Sequence, residues 1–152
     1  MLVLVGGQKG GTGKSTVSTN LAAMRAIQEK DVLLYDLDPQ RTSTLWASRR
    51  DENNIQPRID STQKILDKRI LNSGVVIRNE LQSLIPRYQD IIIDAGGADN
   101  ETLRAAMTLA EVFVLPLMTS AFDIWTIDVM NNLVCEARQI NPNLIAKALY
   151  NK

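Results

Sequence analysis

Histidine is absent from the 152 residues, and cysteine occurs once, at Cys135. Without histidine, the commonest general base and metal ligand are missing, so acid–base chemistry has to rest on carboxylates or lysines. One cysteine makes neither an intrachain disulfide nor a paired thiolate site. That excludes a disulfide scaffold, a zinc ribbon and an iron–sulfur cluster housed within one subunit. No apolar run approaches the ~18 residues of a membrane span. Leu2 to Val5 is apolar, but Gly6, Gly7, Gln8 and Lys9 end the run. No signal peptide, low-complexity tract or internal repeat is visible, and a cytoplasmic location is expected. Net charge is lacking as well: 17 basic side chains face 17 acidic ones. Neutrality argues against a protein that coats nucleic acid by bulk charge alone.

What is present is an ordinary soluble composition, 45% hydrophobic and 22% charged, with the length of one domain over residues 1–152. The charge is uneven. Residues 41–87 carry nine basic and five acidic side chains, and residues 88–134 carry one basic and seven acidic. Solvated faces of different helices explain this blandly; contacts with DNA through Arg49-Arg50 and Lys68-Arg69 are the sharper reading.

Short apolar runs alternate with helical patterns. Leu2–Val5, Val32–Tyr35, Ile91–Ile93, Val112–Leu115 and Ile145–Tyr150 read as strands, the fourth ended by Pro116. From Lys14 to about Lys30, Val17, Leu21, Met24 and Ile27 lie on one face of a helix. Ile124, Ile127, Val134 and Ala137 mark another long helix, stopped at Asn141-Pro142. Continuous apolar strands separated by helices predict an α/β fold, a doubly wound, mostly parallel sheet covered on both faces. Residues 51–73 carry only a short strand near Ile59. The strand-like segment at 145–150 predicts a domain short of its own last helix.

Gln8-Lys9-Gly10-Gly11-Thr12-Gly13-Lys14-Ser15 lies between the first strand and the first helix. Glycines let backbone N–H groups converge on a small anion, and the helix adds its unpaired amides and positive dipole end. Lys14 can reach β- and γ-phosphates, and the Ser15 hydroxyl can ligate Mg²⁺. Gln8 stands where the usual G-x-x-x-x-G-K-[ST] pattern has its first glycine.

Lys9-Gly10-Gly11-Thr12-Gly13-Lys14-Ser15 resembles the deviant Walker A motif, KGGxGK[ST], of the ParA/MinD ATPases. The resemblance implies a P-loop NTPase fold, ATP and Mg²⁺ as cofactors, and two subunits that sandwich two ATP molecules. It implies that Gly10, Gly11, Thr12, Gly13, Lys14, Ser15 and Thr16 hold the nucleotide. Lys9 would reach the partner's phosphates in trans and Lys14 would act in cis, coupling hydrolysis to dimerisation. For Lys9 the alternative is a solvated loop lysine. ATP rather than GTP rests on the resemblance alone.

Three carboxylates stand where parallel strands end. Asp36 and Asp38, in Asp36-Leu37-Asp38-Pro39-Gln40, are two apart and share a face if the strand persists. The resemblance implies that Asp38 orients or activates the attacking water and that Asp36 lies nearer the Mg²⁺ shell; a plain Asp-Pro turn is the alternative. Ile91-Ile92-Ile93-Asp94 is a Walker B arrangement in which Asp94 would hold Mg²⁺ through water, or else caps the next helix. Ala95 sits where many P-loop ATPases carry a catalytic Glu. Gly96 and Gly97 give the following loop freedom to move. Leu45 and Trp46 read as packing, Cys135 as a small core residue, and Trp125 as either core or dimer interface.

Asp38-Pro39-Gln40 looks most like the ParA partition branch. That likeness implies an ATP-dependent homodimer that binds non-specific DNA, associates with the nucleoid, and is stimulated by a ParB-type centromere-binding partner. The N-terminal helix-turn-helix of larger partition ATPases is not expected. The paired cysteines of nitrogenase iron proteins and the basic amphipathic membrane helix of MinD-like proteins do not appear, and no membrane contact is expected. A positioning ATPase acting on a membrane or protein cluster is the competing class, and a nucleotide-binding module without turnover is the third.

Overall fold

The computed structural model describes residues 1–64, 72–96, 100–118 and 121–150. Six strands, β1 (Leu2–Val5), β2 (Val32–Asp36), β3 (Asp60–Gln63), β4 (Asp90–Asp94), β5 (Val112–Leu117) and β6 (Ile145–Tyr150), form one sheet. Their order is β3-β2-β4-β1-β5-β6, and every neighbouring pair is parallel. Among the described residues five α-helices connect them: α1 (Lys14–Ile27), α2 (Thr42–Glu52), α3 (Ser73–Leu84), α4 (Asn100–Met107) and α5 (Ala121–Arg138). The expected α/β architecture is therefore the one observed. Helices α1 and α2 share one apolar cluster with Val3, Val5, Leu34 and Ile92. Leu4, Tyr35, Ile91 and Ile93 face the other side, where Ile77, Leu81, Met107, Met130 and Val134 close a larger core. The alternation along β1 and β4 thus feeds two cores from one run, which is why these strands read as continuously apolar.

Four features depart from the sequence pattern. The apolar stripe of α1 is only half buried: Val17 and Leu21 pack against the core, whereas Met24 and Ile27 are 58% and 68% exposed. The fully buried residues are Lys14, Ser18, Thr19, Ala22 and Ala26. Small side chains let this helix lie close on the sheet, and the hydroxyls of Ser18 and Thr19 donate back to the carbonyls of Lys14 and Ser15.

Pro116 does not end β5, which runs on to Leu117. The Val114 carbonyl accepts the Gly6 N–H, so residue 116 also turns its backbone toward β1. Pairing between β1 and β5 stops at Val5 and Val114, so the missing proline N–H interrupts no ladder.

Cys135 is exposed rather than in the core, because α5 buries Met130, Leu133, Val134 and Ala137 instead. The sequence pattern also leaves α3 unnamed. Its β-branched Val75-Val76-Ile77 run is poor helix material, but Ile77 and Leu81, four apart, seat it on the core. Lys68, Arg69, Gly97 and the Trp125 side chain lie outside the described residues. Among the described residues no helix is long and apolar enough to cross a membrane.

Away from the glycine loop, Arg25 on α1 reaches the first residue of β4, donating from Nε to Asp90 Oδ2 at 2.6 Å. Burial would raise the Asp90 pKa, but the hydrogen bonds from Arg25 and the Met1 ammonium win and hold it below the usual carboxylate range. A depressed carboxylate adds stability that is full above its unfolded pKa of about 3.9 and is lost as pH falls through its folded value. Arg25→Ala is expected to lower unfolding free energy at pH 7 by about 1.5–3 kcal/mol. The deficit should shrink below pH 3; urea denaturation of both proteins at pH 7 and pH 3 checks it.

Candidate functional site

The carboxyl ends of β1, β2 and β4 form a row, with Val5 opposite Asp94 and Asp94 opposite Asp36. Above this row lies a cleft of about 460 Å³. Gly10, Gly11, Gly13, Lys14, Ser15 and Thr16 line it from the β1–α1 connection, and Asp38, Thr42 and Gly96 from the opposite side. Gly11 and Gly13 have φ of 74° and 87°, backbone that other L-residues rarely adopt. Gly13 is the N-cap of α1; no side chain caps the helix and no acid sits in its first turn. Its N-terminal amides therefore present positive potential to the cleft without internal competition.

Lys14 is 7% exposed, and its Nζ donates to the Lys9 carbonyl at 2.5 Å, folding across the loop. Burial lowers its pKa, while the negative charges of Asp94 and Asp38 oppose that. Thr12 is buried within the loop. Lys9 is half-buried at the start of the loop and does not line the cleft.

Asp36 and Asp94 are both completely buried under the cleft floor. Asp36 Oδ1 accepts the Asp38 N–H, and its Oδ2 accepts both the N–H and the hydroxyl of Thr44, each at 2.9 Å. The family resemblance implies a place for Asp36 nearer the Mg²⁺ shell. In the structure both of its oxygens are already engaged, so it supports the β2–α2 turn and the first turn of α2.

Asp94 is differently placed. Its Oδ2 accepts the Ser43 hydroxyl at 2.5 Å, and its Oδ1 is buried with no hydrogen-bond partner among the described residues. Burial raises its pKa, the hydroxyls of Ser43 and Ser15 act against this, and the Asp36 charge reinforces it. An unsatisfied carboxylate oxygen on a residue bonded to a hydroxyl, at a strand end beside the glycine loop, fits a hydrated Mg²⁺, which keeps several waters and needs few protein ligands. No group of three or more acidic or thiol ligands exists among the described residues to form an all-protein metal cage.

Asp38 is half-buried on the rim of the cleft, its Oδ1 accepting the Gln40 N–H at 2.9 Å. Against it lies Gly96. A Cβ at residue 96 would fall 2.0 Å from Asp38 Oδ2 and 2.3 Å from its Cγ. Gly96 therefore matters for close approach as well as for backbone freedom. Ser43, Thr42 and this Asp38–Gly96 contact are missing from the sequence reading. Thr42-Ser43-Thr44 at a helix start is a recognisable capping signature; nothing in the sequence signals the contact.

Residues 3–145 match the model of the CobQ/CobB/MinD/ParA nucleotide binding domain. The chain belongs to this family. It is 27% identical over 123 residues to a ParA protein of Rhizobium radiobacter, across 80% of the chain and 50% of the relative. It is 33% identical over 117 residues to the maintenance of carboxysome distribution protein A of Gloeobacter kilaueensis, across 76% of the chain and 48% of the relative. The chain thus spans about half the length of these curated relatives. The solved structure of cobyrinic acid a,c-diamide synthase from Mycobacterium smegmatis, with bound ATP analogue and magnesium, shares the fold. Its TM-score is 0.74 at 22% identity, covering 98% of this chain and 73% of that one.

Gly96→Ala is expected to displace Asp38 and to cost about 1–3 kcal/mol of stability. In an Asp38→Gly background, which removes the opposing atoms, most of that cost should vanish. A double-mutant cycle by chemical denaturation measures the coupling.

Proposed function

We propose that this nucleotide-binding-family domain is a Mg²⁺-dependent ATPase that dimerises on ATP and positions DNA cargo. The observation that carries the reading is one cleft lined by Lys14 and the uncapped start of α1, with the unsatisfied Asp94 Oδ1 buried at the adjoining strand end. These are the groups that phosphoryl transfer requires, since its catalysis is mostly positioning and charge stabilisation.

The backbone of Gly10 to Thr16 and the α1 amides hold the phosphates. Lys14 places its charge on the β- and γ-phosphate oxygens, and Ser15 with Asp94 holds Mg²⁺, Asp94 through water. When bound, Mg²⁺ would offset the negative charge that develops on the phosphates. Asp38, kept on the rim by Gln40 and Gly96, orients the attacking water. Lys9 reaches the phosphates of a second subunit, so that turnover depends on the dimer. Asp36 keeps the β2–α2 turn in register beneath Asp38.

Cargo transport on DNA is favoured by the likeness to the ParA protein of Rhizobium radiobacter and by Asp38-Pro39-Gln40. A ParB-type partner would stimulate hydrolysis, and the ATP-bound dimer would hold non-specific DNA through phosphate contacts, in association with the nucleoid. Arg50 is a weaker candidate for such contacts than Arg49. It stacks over Trp46 at 5.0 Å and donates to the Pro57 carbonyl, while Arg49 is exposed. The likeness to a carboxysome distribution protein supports a second reading, a positioning ATPase whose cargo is a protein assembly.

Asp38→Ala is expected to lower single-turnover ATP hydrolysis by about 10²–10⁴-fold with nucleotide binding retained; hydrolysis at the parent rate would remove Asp38 from the mechanism. Lys9→Ala should abolish ATP-dependent dimerisation or turnover, read by light scattering and phosphate release, while the monomer stays folded. DNA retention with ATP should fall steeply between 50 and 200 mM salt. Retention on liposomes or on a protein assembly, with none on DNA, would overturn the DNA reading.

A further inference from the structure

We propose that Ser43 is a positioning residue that fixes the orientation of the Asp94 carboxylate and ties the first turn of α2 to the cation site. The proposal rests on the Mg²⁺–nucleotide reading above and extends it to a residue that touches neither cation nor nucleotide. Ser43 is fully buried, in the first turn of a helix where its side chain plays no capping role. Its hydroxyl donates to Asp94 Oδ2 at 2.5 Å, and Asp94 Oδ1 is the oxygen left without a partner. A carboxylate is symmetric about its terminal torsion, which is broad and two-fold. Only a donor held on one side makes its two oxygens different. Ser43 supplies such a donor at Oδ2, within hydrogen-bond distance at 2.5 Å, and leaves Oδ1 as the oxygen that takes the cation's water.

The helix that carries Ser43 is held at the neighbouring residue as well. Thr44 gives two hydrogen bonds to Asp36, the residue paired with Asp94 across β2 and β4. The first turn of α2 therefore bridges two buried carboxylates on adjacent strands. The turn just before it carries Asp38, whose carbonyl accepts the Arg41 N–H at 3.0 Å. Four residues separate Ser43, whose hydroxyl reads Asp94, from Asp38 on the cleft rim. Loading the cation site thus stiffens the segment that aims Asp38. Without the Ser43 hydroxyl, Asp94 loses its anchor at Oδ2 and the α2 turn loses its hydrogen bond to β4.

Binding of a fluorescent ATP analogue, titrated first in EDTA and then with Mg²⁺, tests this. For Ser43→Ala the metal-free affinity should stay within twofold of the parent, while the Mg²⁺ concentration at half-maximal effect rises at least fivefold. Ser43→Cys keeps the volume with a weaker donor and should fall between the two. A merely structural role would change both affinities together or neither. Mg²⁺ midpoints within twofold of the parent for both variants would overturn the proposal. Should the alanine variant fail to fold, the cysteine variant decides by its own midpoint, an unshifted value overturning the proposal. A parent protein with no Mg²⁺ response overturns the nucleotide reading itself, a result distinct from a responsive parent with unshifted variants.

Discussion

Two buried carboxylates side by side, Asp36 and Asp94, are the constraint on which the site depends. Parallel pairing of β2 with β4 sets them opposite each other at the ends of their strands, without solvent to screen them. Such a pair is stable only if donors reach it. The first turn of α2 answers with Thr44 on Asp36 and Ser43 on Asp94. The start of α2, the path of the Asp38 turn and the single open oxygen of Asp94 all follow from that arrangement. The glycine loop lies on the other side of Asp94, so phosphate cradle and carboxylate row meet at one point.

Close approach is the second theme. Helix α1 has to bring its N-terminal amides to the mouth of the cleft, and it does so by laying Ser18, Ala22 and Ala26 on the sheet. Larger apolar side chains there would lift the helix and move the amides off the phosphate position. Similar economy governs Gly96, where any Cβ would strike Asp38, and Gly74 on α3, which packs against Glu101 and Ala105 of α4. In each place the small residue sets a distance between elements, and at α1 and Gly96 a group of the candidate site depends on that distance.

Charge is arranged by the same logic of local pairing. The balance of 17 against 17 conceals buried and half-buried partnerships, such as Arg25 with Asp90 and Lys64 with Glu80 at 2.7 Å. Part of the basic surplus of residues 41–87 is engaged inside the fold. Arg50 lies over Trp46, and Lys64 answers the α3 carboxylate. A count along the sequence therefore overstates the charge available at the surface.

The sequence by itself determined the α/β class and the anion-binding loop, because both are local. Apolar runs of strand length and a glycine-rich turn before a helix carry their meaning within a dozen residues. It also marked Asp36, Asp38 and Asp94 as strand-end carboxylates, since strand ends are readable from the apolar runs before them. It did not separate their tasks. That took the lateral order of the strands, which brings Asp36 and Asp94 together from 58 residues apart and sets Ser43 beneath one of them. The buried face of α1 was likewise decided by tertiary structure, where the need to lie close put Ser18, Ala22 and Ala26 on the sheet and left Met24 and Ile27 of the apolar stripe exposed. Local pattern says what an element is; only packing says which of its atoms still lack a partner.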